Sequence, residues 1–268
     1  MASIQFGASQ AKQLFSVLGV AGTSTLRLLF ASLIMVAVFR PWRTKFTRPM
    51  IKSLFFYGAS LGLMNFSFYF ALQRIPLGIA VALEFLGPLS VAIFSSKKKI
   101  DYLWALLAGI GIVLLLPKET ATHSLDPIGM LLAILAGVFW AMYIIFGKRA
   151  GNNLKGEVAS SMGMLVAALI VLPIGMAIDG PKLLNTGALP IALMVAVFGS
   201  ALPYTLEMFA LKKLPTQTFG VLMSLEPALA ALMGLLFLAE SLTVYQWLAI
   251  LCVIISSLGS TLSQKKEK

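Results

Sequence analysis

Thirteen residues, FALQRIPLGIAVA from Phe70 to Ala82, return as FALKKLPTQTFGV from Phe209 to Val221, each pair separated by 139 positions. The same register sets Pro88 opposite Pro227 and Asp101 opposite Glu240. A chain that repeats itself in this way is built from two copies of one structural unit. Composition names the solvent of those units. Of 268 residues, 59% are hydrophobic and only 12% charged, about half the charged share of a soluble domain. Duplicated halves in a polytopic membrane chain point to a transporter whose site lies between the repeats, near the bilayer midplane.

A helix needs roughly 17–25 apolar residues to cross a hydrocarbon core. Ten runs approach that description, at residues 2–20, 24–39, 53–72, 77–94, 102–116, 127–147, 158–178, 190–211, 217–238 and 244–262. The run at 102–116 is short, and the first carries Gln5, Gln10, Lys12 and Gln13. Barrel strands would alternate in segments of about ten residues, whereas LLAILAGVFWAMYIIFG is apolar on every face. The predicted fold is therefore an all-α membrane protein of ten transmembrane helices. Residues 1–117 form the first five-helix repeat, 118–126 the joint, 127–263 the second repeat and 264–268 a basic tail. The opening MASIQFGASQAK lacks the basic start and apolar core of a cleavable signal. Cys252, the single cysteine, excludes an internal disulfide and reads as packing, and the single histidine, His123, has no metal-site partner. No metal and no cofactor are expected.

The formal charge of +11 is not a nucleic-acid signature, because its charges are spread over loops without aromatic interleaving. Arg40, Arg43, Lys45, Arg48 and Lys52 fill one break, Lys97 to Lys99 the next on that side, and Lys148, Arg149, Lys155, Lys212, Lys213, Lys265, Lys266 and Lys268 continue the series. The opposite breaks hold Arg74, Lys118 and Lys182. By the positive-inside rule both termini face the cytoplasm. Five spans per half then invert the second repeat relative to the first, which lets one site open to either side by rocking.

A charged side chain at the bilayer centre costs about 2.5–3.5 kcal/mol, so those inside the runs require an explanation. Arg27, Glu84, Glu207 and Glu226 are the four. Arg27 either clamps a carboxylate with its planar fork or snorkels to the interface. Glu84 shares a helix face with the kink-forming Pro88 and suits a proton or an ammonium; the alternative is a neutral carboxyl held by interhelical hydrogen bonds. Glu207 lies one turn after Tyr204. Glu226 precedes Pro227, where it either carries a proton or caps a restarting helix. Asn65 and Tyr69 share a face at i and i+4, and the 139 register pairs Asn65 with Tyr204. Trp104, Trp140 and Tyr143 either wall a pocket or belong to interfacial aromatic belts. Ala133, Gly137 and Ala141 form a small-residue ladder that reads as close helix packing.

The repeated FALxxxP element, GIAVALEFLGPL, LPYTLEMFAL, TFGVLMSLEPALAALMG and FLAESLT resemble, over essentially the whole chain, the EamA-type branch of the drug/metabolite transporter superfamily. The resemblance implies a ten-helix basket of two inverted repeats in the bacterial inner membrane, exporting small amino acids such as threonine and homoserine in exchange for protons. Members begin earlier than this chain does, which sets MASIQFGASQAK in the middle of a first helix. A zwitterion with a hydroxyl needs acceptor, donor and neutral partners together in low dielectric. On this reading Glu84 and Glu207 serve the ammonium and the coupling proton, with Glu226 a further proton carrier. Arg27 receives the carboxylate, Asn65, Tyr69 and Tyr204 orient the polar side chain, and Trp140 and Tyr143 line the pocket. The partners expected are the amino acid, protons and membrane lipid, in a monomer or homodimer. Competing readings are an exporter of aromatic amino acids, purines or drugs on the same scaffold, and a passive channel. An intramembrane enzyme is disfavoured, since no nucleophile-base arrangement lies within the spans.

Overall fold

A computed structural model describes residues 1–95, 100–115, 125–151, 154–206 and 223–263, and among these every regular element is helical. The chain runs through α1 (Ala2–Leu18), α2 (Val20–Phe39), α3 (Arg48–Leu72), α4 (Leu77–Glu84), α5 (Leu86–Ser95) and α6 (Ile100–Leu115). It continues through α7 (Pro127–Gly151), α8 (Gly156–Asp179), α9 (Leu189–Ala196), α10 (Glu226–Leu238) and α11 (Val244–Ser263). Among the described residues six stretches are long and apolar enough to cross a membrane, and three shorter apolar helices accompany them. Helix occupies part of every predicted run. The run at 77–94 is two helices meeting at Phe85, because Pro88 removes the backbone donor that would have continued the ladder.

The principal packing joins one half of the chain to the other: α3 on α7 and α8, α2 on α8 and α9, α4 on α10, and α6 on α11. The first helix lies against α10 and the segment following α9. Small residues allow these approaches. A Cβ on Gly87 would overlap the Gly137 carbonyl, and one on Gly137 would press on the Glu84 carbonyl at 2.7 Å. The small-residue ladder of α7 therefore packs as its spacing suggested, with Ala133 fully buried. Trp104 serves packing too. Its indole Nε1 donates to Ser263 Oγ at 2.9 Å, its carbonyl accepts from Ser256 Oγ, and its ring covers Gly259, fastening α6 to α11. Outward faces such as Leu106 and Val113 of α6 or Leu235 and Leu236 of α10 remain exposed and apolar, as a surface solvated by lipid tails must be.

One end of the bundle is pinned by charge. Gly19 turns the chain between α1 and α2 at φ 72°, and a Cβ there would strike the Asp179 carboxylate. That carboxylate accepts the Gly22 N–H at 3.2 Å and binds Lys182 Nζ at 2.7 Å, which complements the positive end of α2. Lys12 Nζ binds Glu240 Oε1 at 2.6 Å and the Ile75 carbonyl, while Glu240 Oε2 accepts the Leu77 N–H at 2.7 Å, the first residue of α4. Arg74 and Asp126 meet at 2.7 Å. The guanidinium and the Ile128 N–H hold the Asp126 carboxyl below the ordinary carboxylate range. That contribution is present at neutral pH and fades as acid protonates the group, and its exposure keeps it small. These three pairs lie at the end opposite the arginine-rich Arg40–Arg48 connection. Lys12 thus has an ion-pair partner and a place at a helix end, so its charge within an apolar run needs no lipid-facing explanation.

Candidate functional site

Arg27 lies two turns inside α2 and is 3% exposed. Burial at that depth excludes the snorkelling alternative. Its Nε donates to Ser200 Oγ at 2.8 Å, Nη1 to the Tyr69 hydroxyl at 2.7 Å and Nη2 to the Gly199 carbonyl at 2.6 Å. The guanidinium carbon also stands 5.1 Å from the centroid of the fully buried Tyr69 ring, within cation–π range. Gly199 and Ser200 reach it because the chain after α9 widens into a π turn, Val197–Ala201, and such turns release a carbonyl from the helical ladder. Gly7 of α1 packs against this turn: a Cβ on Gly7 would overlap the Gly199 backbone, whereas one on Gly199 would meet Arg27 Nε at 3.3 Å.

All three acceptors around Arg27 are neutral. Among the described residues no carboxylate lies within 4 Å of it. A buried guanidinium ordinarily has an anionic partner, because isolation of a charge in low dielectric costs several kcal/mol. Here hydrogen bonds and the Tyr69 face hold the cation in position without neutralising it.

Two acids are also buried. Glu84 ends α4 and is 7% exposed. Among the described residues it makes no side-chain hydrogen bond or ion pair. Glu226 opens α10 and is 4% exposed, and its Oε1 accepts from Gln5 Nε2 of α1 at 3.0 Å. Its Oε2 and the Gln5 Oε1 have no partner. Glu226 does begin a helix whose second residue is Pro227, as the break-and-cap reading requires, but its side chain turns to Gln5 and caps nothing.

The remaining predicted residues divide. Tyr69 joins Arg27 directly. Trp140 borders the cluster through a T-shaped contact with Phe85, centroids 5.6 Å apart, one residue from Glu84. Asn65 is buried with its amide donating to Leu61 of its own helix at 2.9 Å, so it forms no hydrogen bond to Arg27. Tyr204 is buried in a second apolar cluster with Leu61, Met64 and Met164. Tyr143 stacks on Tyr57 at 4.9 Å, with the hydroxyls 3.2 Å apart, toward the arginine-rich end. Glu207, His123 and the side chain of Asp101 lie outside the described residues. Gln5 was visible as a polar residue in an apolar run, although nothing local assigned it a partner. Gly199 and Ser200 had no signal, since a π turn is set by tertiary packing.

Comparison with known proteins locates the chain among transporters. The EamA-like transporter family model matches residues 127–262. The threonine/homoserine exporter RhtA of Escherichia coli K12 is 50% identical over 267 residues, covering 100% of this chain and 90% of that protein, and its Salmonella typhimurium LT2 counterpart is equally similar. Protein PecM of Dickeya dadantii is 29% identical over 200 residues, covering 71% of this chain and 67% of that one. A solved crystal structure superposes with a TM-score of 0.62 at 17% identity, covering 99% of this chain and 98% of the other, which speaks to fold alone.

Proposed function

From the premise that this chain belongs to the EamA-like transporter family, we propose that it exports threonine and homoserine from the cytoplasm by proton antiport with alternating access. It is a multi-pass membrane transporter, not an enzyme. The observation that supports the substrate class is the buried Arg27, whose partners among the described residues are all neutral, together with the buried acids Glu84 and Glu226. An amino acid brings what both lack, a carboxylate for the guanidinium fork and an ammonium for the acids. Similarity to RhtA narrows that class to threonine and homoserine.

In this reading Arg27 receives the carboxylate, with Tyr69 and Ser200 fixing its orientation. Glu84, Glu207 and Glu226 divide the ammonium and the coupling proton among them. Trp140 closes one wall, and Asn65, Tyr143 and Tyr204 line the path rather than the centre. Glu84 is buried and, among the described residues, makes no side-chain hydrogen bond or ion pair, and we take it as the coupling site.

Alternating access needs two equivalent halves, and the packing is consistent with repeats at 1–117 and 127–263 joined through 118–126. Exchange of the halves turns the α3–α7 contact into that between the α9 segment and α1, and α3–α8 into α9–α2, while α2–α8 and α6–α11 map onto themselves. With the basic loops inside, both termini are cytoplasmic and the membrane is the bacterial inner membrane.

Inside-out vesicles test the reading. Labelled threonine should accumulate in the lumen when the lumen is acidic and stop accumulating when the gradient is collapsed, with competition by homoserine and not by aromatic amino acids or purines. Unsaturable, gradient-independent flux would establish a channel instead.

A further inference from the structure

Resting on the amino-acid reading above and sharpening it, we propose that Gln5 and Glu226 together form the receptor for the substrate's primary ammonium, leaving Glu84 to carry the coupling proton. Gln5 Nε2 satisfies one carboxylate oxygen of Glu226 at 3.0 Å. The other oxygen, Oε2, and the Gln5 carbonyl oxygen are both buried and both without a partner. Two unpaired acceptors within one hydrogen-bonded pair, on side chains 3% and 4% exposed, are a costly arrangement, because each buried orphan forfeits its hydration. Donors are what is missing. An ammonium supplies three and a positive charge, enough to satisfy both oxygens. A hydroxyl supplies one donor and no charge.

The pair joins the halves of the chain. Gln5 is on α1 and Glu226 on α10, so an ammonium held by both would bind only while these elements stay in register, a requirement that would link occupancy to the relative position of the halves.

The experiment pairs each amino acid with its 2-hydroxy acid, which carries a hydroxyl in place of the ammonium. Equilibrium binding to the purified full chain is measured for threonine, homoserine, alanine and phenylalanine and their four partners, in wild type, Gln5→Met and Glu226→Gln. Wild type should prefer each bound amino acid over its hydroxy acid by at least about 100-fold, the worth of two charge-assisted hydrogen bonds. Both variants should reduce that preference to within about threefold, through lost amino-acid affinity, while binding the hydroxy acid as wild type does, which also reports an intact pocket. Preserved preference in either variant would overturn the assignment and leave the two oxygens closed by a shared proton in an acid–amide pair. Wild-type binding of alanine but of neither threonine nor homoserine would defeat the exporter reading alone, since the receptor is still read on the other pairs. Binding of no amino acid would defeat both.

Discussion

Arg27→Gln is expected to weaken threonine binding by roughly 30- to 5,000-fold, the 2–5 kcal/mol typical of truncating one partner of a buried charge pair. The loss comes from the ligand. A substrate carboxylate brought to the neutral Ser200, Tyr69 and Gly199 groups would be stripped of water without a compensating cation. Arg27→Lys should recover only part of the affinity, because an ammonium keeps the charge but cannot hold the three acceptors and a carboxylate in one plane. Scintillation-proximity binding of labelled threonine gives the affinities, and thermal melting in detergent separates affinity from unfolding. A folded Arg27→Gln protein that binds threonine within about threefold of wild type would remove the guanidinium from the site.

Glu84→Gln is expected to abolish concentrative transport while sparing exchange. A gradient of one pH unit is worth about 1.4 kcal/mol per proton, or tenfold accumulation at one proton per substrate. Reconstituted wild type should approach that ratio at an imposed one-unit gradient, and the glutamine variant should settle near one. Exchange of internal for external threonine needs no net proton movement and should persist in the variant. Concentrative uptake equal to wild type would move the coupling proton to Glu207 or Glu226.

How far the sequence carried these conclusions depended on whether the determining physics was local. Duplication, apolar run length and the sidedness of basic loops are properties of short stretches, and they anticipated an all-helical membrane chain whose principal contacts join its two halves. The need to explain every charge in a run singled out Arg27, Glu84 and Glu226, all of which the fold buries. Their pairings were not legible. Gln5 and Glu226 are 221 positions apart and Arg27 and Ser200 are 173 apart, so neither contact has a period or motif to announce it. Asn65 and Tyr204 match in repeat register, yet Asn65 spends its amide on the helix behind it. Equivalence under a repeat fixes depth, not the direction in which a side chain points. Lys12 and Glu240 give the converse case, two charges whose place became clear only when the start of α4 was seen between them.

The most direct test concerns the carboxylate that Arg27 is proposed to receive. Labelled threonine bound to the purified wild-type chain is displaced with increasing unlabelled threonine, homoserine or threonine methyl ester, the last retaining ammonium and hydroxyl but lacking the negative charge. Displacement by the two amino acids at similar concentrations, with the ester weaker by roughly 30-fold or more, is the expected result. Equal displacement by the ester would contradict a carboxylate site at Arg27 and with it the proposed binding of a zwitterion.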